Sequence, residues 1–342
     1  MSPAEDEIRA AVDRLVDGLE GVVLARQQRD LVVSMVETVV GMARTDSDLL
    51  DLKIVDTALK EMAEAFEVFR PWRSVRKVTM FGSARTAPDD PIYVLARDLA
   101  RRLATEGWMI VTGAGPGIMA AGTEGAGRDL SFGVNIRLPH EQGANAFIAQ
   151  DPKLVEMRYF FTRKLMLIKE SHAYVVLPGG FGTLDECFEL LTLLQTGKAE
   201  PAPVVLVETP GEGFWHAWLR FVEHEVVPRG YVSAPDLGFF RIVTSVDEAV
   251  AEIQRYYRNY HSARWVGDLL VLRLARLPDD ASLVALSAKF ADILKSGRIR
   301  ATKPLPPERT AGDHLDLERV ALRFDKFSYA RLRELIDALN EF

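Results

Sequence analysis

A nine-residue stretch near the middle of the chain combines a glycine-rich turn with acidic side chains. It reads Pro178-Gly179-Gly180-Phe181-Gly182-Thr183-Leu184-Asp185-Glu186 and directly follows an apolar run at 173–177. A glycine turn between a strand and a helix exposes backbone N–H groups at the positive end of the helix, which is a binding site for phosphate. The pattern predicts a phosphate site made by Gly179, Gly180, Gly182 and Thr183.

Glu186 has two interpretations at this point. It follows Thr183 by three residues, which is the spacing of a capping box at a helix start, and Thr183 is the predicted cap. In the other interpretation Glu186 takes part in catalysis. The start of a helix favours a negative charge, and an ionised carboxylate there can stabilise a cation or orient water. Both interpretations remain open on the residues alone.

Two further strand candidates end in small-residue turns. The first turn contains Gly82 and Ser83, which could bind a ribose or phosphate oxygen or form only a tight turn. The second contains Gly113, Gly115 and Gly117 and opens a helix. Its last glycine comes one residue earlier than in a dinucleotide fingerprint, and the next strand is not followed by the acidic residue that would bind an NAD ribose. The second turn therefore predicts phosphate binding without NAD.

The elements that must position these turns alternate between short apolar runs and helical stretches. Such alternation predicts an α/β fold, a Rossmann-like doubly wound and mostly parallel sheet, over residues 73–255. Residues 1–72 are predicted as a helical N-terminal extension that Pro71 ends, and 256–342 as a helical C-terminal extension. The predicted strands are Lys77–Phe81, Met109–Thr112, Phe132–Ile136, Ala173–Leu177, Val204–Val207 and Phe240–Thr244, and the helices between them are Ile92–Glu106, Ile118–Arg128, Leu154–Glu170, Thr183–Thr196, Phe214–Val227 and Val246–Tyr257. In the C-terminal extension, helices are predicted at Ser282–Leu294 and Tyr329–Leu339, with Lys303–Pro307 as a linker between helices.

The amino-acid composition disfavours several classes of function. The formal net charge of −7 disfavours a nucleic-acid partner, and one cysteine fits a reducing cytoplasm. No apolar run is long enough for a membrane span, and no spacing of histidine, cysteine or carboxylate predicts a metal. We therefore expect a cytoplasmic protein with neither a metal nor a cofactor.

The nine-residue stretch, the two further turns and the pair Arg163-Lys164, taken together, resemble a known family. Pro178–Glu186 is similar to the PGGxGTxxE motif of the LOG family, the cytokinin-activating phosphoribohydrolases and related bacterial nucleotide nucleosidases once mislabelled as lysine decarboxylases. Arg163-Lys164 resembles the Arg-Lys pair on the family's preceding helix, and the turns at 82–83 and 113–119 match in order. The resemblance covers roughly residues 75–255. Short plant members carry methionine where this chain has Phe160, so the resemblance does not imply a cytokinin substrate.

The resemblance implies hydrolysis of the N-glycosidic bond of a nucleoside 5′-monophosphate, with Arg163 and Glu186 catalytic. An arginine stays protonated, so its expected role is to hold the substrate and stabilise charge. Lys164 is a candidate for phosphate binding, although adjacent helix residues point about 100° apart. The family also implies a homodimer or higher homo-oligomer. A nucleotide-binding carrier or sensor that uses the same phosphate site without turnover is the alternative, since fold alone does not decide catalysis.

Two other reactive residue types are assigned to packing rather than chemistry. Cys187 follows Glu186 directly but has no histidine base nearby in the sequence, so it is predicted to be a core residue. His172 lies between a helix and a strand close to the nine-residue motif, and packing is favoured over contact with the base. Glu124 could face the site or water and is not assigned.

Overall fold

The computed structural model describes residues 3–18, 25–137 and 143–342 of the chain, and side chains from residue 9 onwards. It divides into two units, Met1–Ala63 and Glu64–Phe342, and each is described by itself. Within the described residues no helix has the length and apolar character needed to cross a membrane.

The first unit is helical, as predicted. It contains α1 (Pro3–Asp17), α2 (Arg26–Arg44) and the start of α3 (Leu49–Phe69), which ends in the second unit just before Pro71. Val12 and Val16 of α1 pack against Val33 of α2, and this contact buries part of the apolar stripe that repeats at three- and four-residue steps, whereas Leu15 stays exposed.

The second unit is built on a seven-stranded parallel sheet in the order β4-β3-β2-β1-β5-β6-β7. This arrangement confirms the predicted Rossmann-like α/β class. The chain moves outward from β1 to β4 and then crosses to β5 beside β1, so the direction of winding reverses between β1 and β5. Ligands of such sheets bind outside the carboxyl ends of the strands at this reversal. The strands are β1 (Lys77–Phe81), β2 (Met109–Thr112), β3 (Ser131–Ile136), β4 (Leu154–Met157), β5 (Ala173–Val176), β6 (Val204–Val207) and β7 (Phe240–Val243).

Helices cover both faces of the sheet, which explains why its central strands read as continuous apolar runs. On one face, β1, β2, β5 and β6 share a buried core with three of the helices, α4, α5 and α9. On the other face Phe69 stacks on Phe132 of β3, with ring centroids 4.4 Å apart. The helices are α4 (Pro91–Thr105), α5 (Ile118–Ala126), α6 (Phe160–Lys169), α7 (Phe181–Gln195), α8 (Phe214–Phe221), which continues as a π-helical turn over Val222–Val226, and α9 (Val246–Tyr256).

The single helix predicted over Leu154–Glu170 is wrong in its first part. Residues 154–157 form the edge strand β4, paired in parallel with β3 from Gly133 to Ile136, and α6 begins only at Phe160. Val155 and Met157 are buried whereas Leu154 and Glu156 are not, which is the two-residue period of a strand. Pairing with β3 therefore overrides the local helical pattern.

The C-terminal extension at 256–342 is not helical, contrary to the prediction. It contains a four-stranded antiparallel sheet in the order β10-β11-β9-β8. The helices of this extension and the strands of the sheet share one buried apolar core. The predicted helix Ser282–Leu294 ends at Lys289, and Lys303–Pro307 joins a strand to a helix rather than two helices; the prediction at Tyr329–Leu339 is confirmed. The elements are β8 (Tyr260–Val266), β9 (Leu269–Leu274), α10 (Asp280–Lys289), β10 (Leu294–Ala301), α11 (Pro306–Ala311), β11 (Glu318–Phe324) and α12 (Tyr329–Leu339).

Candidate active site

The three glycine turns meet at the carboxyl edge of the parallel sheet. The N–H of Ser83 donates to the carbonyl of Pro178 (3.2 Å), and the N–H of Ile118 donates to the carbonyl of Ser83 (3.0 Å). The turn after β1 is thus tied to the turns after β5 and β2. Beside them opens a cavity of about 1100 Å³. Nine predicted site residues form its wall: Gly82, Ser83, Gly113, Gly115, Arg163, Gly180, Gly182, Thr183 and Glu186.

Two predicted glycines hold the turns together instead of lining the cavity. Gly117 has φ +64°, and a Cβ there would lie 2.3 Å from the carbonyl oxygen of Ser83. A Cβ on Gly179 would lie 2.1 Å from Oγ1 of Thr183. The close packing explains why glycine is needed at both positions; neither residue is part of the cavity wall, and their role in substrate binding stays a prediction.

The helix α7 begins three residues earlier than the capping interpretation requires. Gly180 is the N-cap, no side chain caps the helix, and Phe181 is the first helical residue. Thr183 and Glu186 therefore lie inside the first two turns, so the capping-box interpretation is wrong. The first N–H groups of α7 have no partner within the helix and lie at the cavity, which makes them available to an anion.

Arg163 and Glu186 come together in the cavity wall from the two helices that follow β4 and β5. Nη1 of Arg163 lies 3.9 Å from Oε1 of Glu186, and both side chains are nearly buried. Nε of Arg163 donates to the carbonyl of Val134 on β3 (3.0 Å), which orients the guanidinium. Gly113 leaves room for it, because a Cβ there would lie 2.0 Å from Nη2.

The Glu186 carboxyl is placed where its charge is costly. Only 6% of the residue is exposed, and Oε2 is buried without a hydrogen-bond partner. Burial raises the pKa of Glu186 to about 7, although the positive charges of Arg163 and Lys164 lower it in part. We expected the helix start to favour the ionised form; desolvation outweighs that effect. Near neutral pH the carboxyl can both hold and release a proton.

Lys164 lies beside the cavity and not in its wall. Its Nζ is 2.8 Å from Oδ2 of Asp185 and 2.7 Å from Oε2 of Glu189, so it links α6 to α7. Burial acts to lower the pKa of Lys164, but the hydrogen bonds with these two carboxylates raise it overall. These ion pairs join the two helices next to Arg163 and Glu186, and phosphate binding by Lys164 stays a prediction.

Several residues of the cavity wall are not among the predicted site residues. Arg85 follows the first turn, and Asn135 is the amide residue of strand β3, which also contains Ser131 and has no recognisable motif. Phe160, noted only as a departure from plant relatives, and Phe181 lie in the wall with 51% and 93% of their surface exposed. The cavity therefore has a buried polar side and an exposed aromatic side.

The residues assigned to packing lie where that assignment requires. His172 precedes β5 at the opposite edge of the sheet, where its Nδ1 accepts from the N–H of Lys77 (3.2 Å) and burial lowers its pKa to about 4. Cys187 is 1% exposed, and burial raises its pKa to about 12, so it is not a nucleophile. Glu124 accepts a hydrogen bond from Tyr93 (2.8 Å). Within the described ranges no group of three metal-ligating side chains is found.

The chain is similar in sequence to several characterised proteins. A family profile described as possible lysine decarboxylase matches residues 115–253. A cytokinin riboside 5′-monophosphate phosphoribohydrolase of Arabidopsis thaliana is 33% identical over 94 residues, 28% of this chain and 42% of that protein. One of Mycobacterium marinum is 27% identical over 167 residues, 48% of this chain and 87% of that protein. The match to this Arabidopsis protein and to a rice relative thus spans about two fifths of the length of each.

Part of the chain is also similar to a solved structure. The molybdenum cofactor carrier protein of Chlamydomonas reinhardtii is 21% identical, with a TM-score of 0.38, and the alignment covers 53% of this chain and 97% of the carrier protein. At this identity the likeness concerns the fold alone.

Proposed function

We propose that this chain, a member of the LOG family, hydrolyses the N-glycosidic bond of a nucleoside 5′-monophosphate to give the free base and ribose 5-phosphate. The observation that carries the proposal is the buried carboxyl of Glu186, which has one unpartnered oxygen and lies 3.9 Å from the Arg163 guanidinium in the cavity wall. A protein that only bound nucleotides would need the glycine turns but would gain nothing from a costly buried carboxyl.

In this proposal the 5′-phosphate lies against the first N–H groups of α7 and the hydroxyl of Thr183. The positive end of the helix and the bare amides favour a dianion there. Ser83 and Gly82, on the neighbouring turn, lie on the same cavity and complete the polar surface for phosphate and ribose. Lys164 acts indirectly, by holding α6 and α7 in register through Asp185 and Glu189.

The reaction replaces the C1′–N bond with a C1′–O bond. As the base leaves with the bonding electron pair, positive charge develops on the sugar, and the ionised Glu186 stabilises it and accepts a proton from the attacking water. Overall, the leaving nitrogen of the base gains this proton and C1′ gains the hydroxyl group, so the reaction consumes one water molecule. Arg163 does not titrate; it holds the substrate and offsets negative charge near the carboxyl.

The test is release of base from AMP, GMP, CMP, UMP and a prenylated AMP, measured by chromatography on purified protein. We expect Glu186→Ala to lower kcat by about 1000-fold with little change in phosphate binding. Arg163→Ala should weaken both binding and turnover. The exposed Glu223, on the π-helical turn, supplies a matched control as Glu223→Gln, which should behave as wild type.

Two results would contradict the proposal. If the folded wild-type protein binds nucleotides but releases no base from any of them, it is a carrier or sensor. If Glu186→Ala is as active as wild type, the catalytic role is assigned to the wrong carboxylate. A homodimer and a cytoplasmic location are parts of the same proposal that size measurements and cell fractionation test.

A further inference from the structure

Asn135 on β3 is a buried amide that has no use in the protein's own structure. The residue is 8% exposed and lies in the cavity wall. Among the described residues its side chain has no hydrogen-bond partner, and neither amide atom belongs to the fully enclosed unpartnered atoms. Both amide atoms therefore keep some accessible surface, and the residue belongs to the wall of the cavity.

An amide in this position needs a partner from outside the chain. Buried polar side chains are almost always hydrogen-bonded, and an unpartnered one lowers stability. Ser131 and Gly133 lie on the same face of β3 as Asn135, whereas the apolar residues Phe132, Val134 and Ile136 lie on the opposite face. The amide offers a donor and an acceptor side by side, which complements a group that both donates and accepts.

The neighbours of Asn135 indicate which part of the substrate it meets. The carbonyl of Val134, one residue before it, accepts from Nε of Arg163 (3.0 Å), and Arg163 lies 3.9 Å from Glu186. Asn135 thus flanks the reacting centre on the buried polar side of the cavity. The exposed rings of Phe160 and Phe181 form the aromatic side, which suits the flat base. With the base on the aromatic side, the sugar would lie on the polar side of the cavity, next to Asn135.

We infer that Asn135 hydrogen-bonds the ribose hydroxyl groups and selects ribonucleotides over 2′-deoxyribonucleotides. The inference rests on the proposed function and specifies its substrate class. A vicinal diol presents donors and acceptors at the spacing of an amide, and hydrogen bonds to the 2-hydroxyl of a sugar strengthen as charge develops on the ring. A site built around such a bond rejects a substrate that lacks the hydroxyl.

The experiment compares kcat/KM for AMP and 2′-deoxy-AMP. Wild type should prefer AMP by at least about 10-fold, because one unmet hydrogen bond at a buried group is worth about 10- to 100-fold. In Asn135→Ala and Asn135→Ser, kcat/KM for AMP should fall by that factor, whereas kcat/KM for 2′-deoxy-AMP should change little. Arg137→Gln is the control, since Arg137 directly follows the same strand, pairs with Glu156 and does not line the cavity. An equal loss on both substrates, or a preserved preference, would overturn the inference.

A binding measurement separates failure of this inference from failure of the proposed function. Calorimetric titration with ribose 5-phosphate and 2-deoxyribose 5-phosphate needs no turnover, and wild type should bind the first at least about 10-fold more tightly, with Asn135→Ala binding both alike. If no nucleotide is hydrolysed, the proposed function fails while this comparison still decides the role of Asn135. If Asn135→Ala changes only the order of preference among AMP, GMP and CMP, the amide contacts the base and the inference is wrong.

Discussion

Replacing Glu186 with glutamine should stabilise the protein at alkaline pH. Burial raises the pKa of this carboxyl to about 7 from the 4.5 of an exposed glutamate. Between these two values the folded chain binds a proton that the unfolded chain has released. The contribution of this carboxyl to the free energy of unfolding of the wild type is therefore fully present below about pH 4.5, and it is lost as the pH rises through 7. Glu186→Gln has the same shape and does not titrate, so it escapes this loss.

The size of the effect follows from the two pKa values. Each pH unit between 4.5 and about 7 is worth about 1.4 kcal/mol, so the glutamate destabilises the folded state by about 3 kcal/mol above pH 8 and by almost nothing near pH 4.5. The attraction of Arg163 is already included in the raised pKa. Any fixed cost of the new amide is the same at both pH values and cancels when the two are compared.

The assay is urea unfolding of wild type and Glu186→Gln at pH 5 and pH 8, followed by tryptophan fluorescence. The free-energy difference between variant and wild type should grow by about 2 to 3 kcal/mol from the lower to the higher pH. Glu223→Gln, an exposed change of the same type, is the control. If the difference does not grow, the carboxyl is not desolvated. Fluorescence reports on the second unit, because all five tryptophans lie there: Trp72, Trp108, Trp215, Trp218 and Trp265.

Three further changes test separate parts of the structure. Lys164→Met should lower kcat and raise the pKa of Glu186, moving the acid limb of the kcat/KM profile to higher pH; an unmoved profile would contradict the ion-pair role. Gly113→Ala should displace the Arg163 side chain and lower base release about 10- to 100-fold, with an unchanged melting temperature. His172→Gln should reduce the loss of stability from pH 6.5 down to 4, because burial lowers the pKa of the histidine to about 4; equal acid sensitivity in variant and wild type would refute this.

The parallel sheet was predictable from sequence for a physical reason. Strands β1, β2 and β6 are buried on both faces, so each reads as a continuous apolar run and its bounds were predicted to the residue. The edge strand β4 has one exposed face, and its four residues resemble the start of the helix that follows. Pairing with β3 decides its structure, and no local pattern records that pairing.

The C-terminal sheet was missed because buried charges interrupt its strands. Arg273 on β9 is 3% exposed and Arg319 on β11 is fully buried, positions where a sequence pattern suggests a solvent-facing side chain. Nη2 of Arg273 lies 3.0 Å from Oε1 of Glu308 in α11, which lies between β10 and β11. A charge can be buried when its partner is buried with it, and that partner is identified only by the fold.

The site was predictable to the extent that its function depends on backbone. Turns made of glycine are visible in sequence, and the motif resemblance identified Arg163 and Glu186, which the structure brings within 3.9 Å. What a side chain contacts is a tertiary property. Lys164 was assigned to phosphate because it is basic and adjacent to Arg163, yet two carboxylates of α7 hold it. Asn135 was overlooked because an isolated amide in a strand has no motif.

The burial that destabilises Glu186 is also what would make it effective on a sugar cation. An exposed glutamate is hydrated, and water must reorganise before its charge can stabilise a transition state. At Glu186, a residue of the cavity wall, one carboxyl oxygen is buried without a hydrogen-bond partner, so little water has to reorganise around its charge. A variant that gained stability by removing this charge should lose turnover in proportion, since both effects come from the same desolvated carboxylate. Stability at pH 8 and kcat are therefore expected to move in opposite directions across substitutions at this one position.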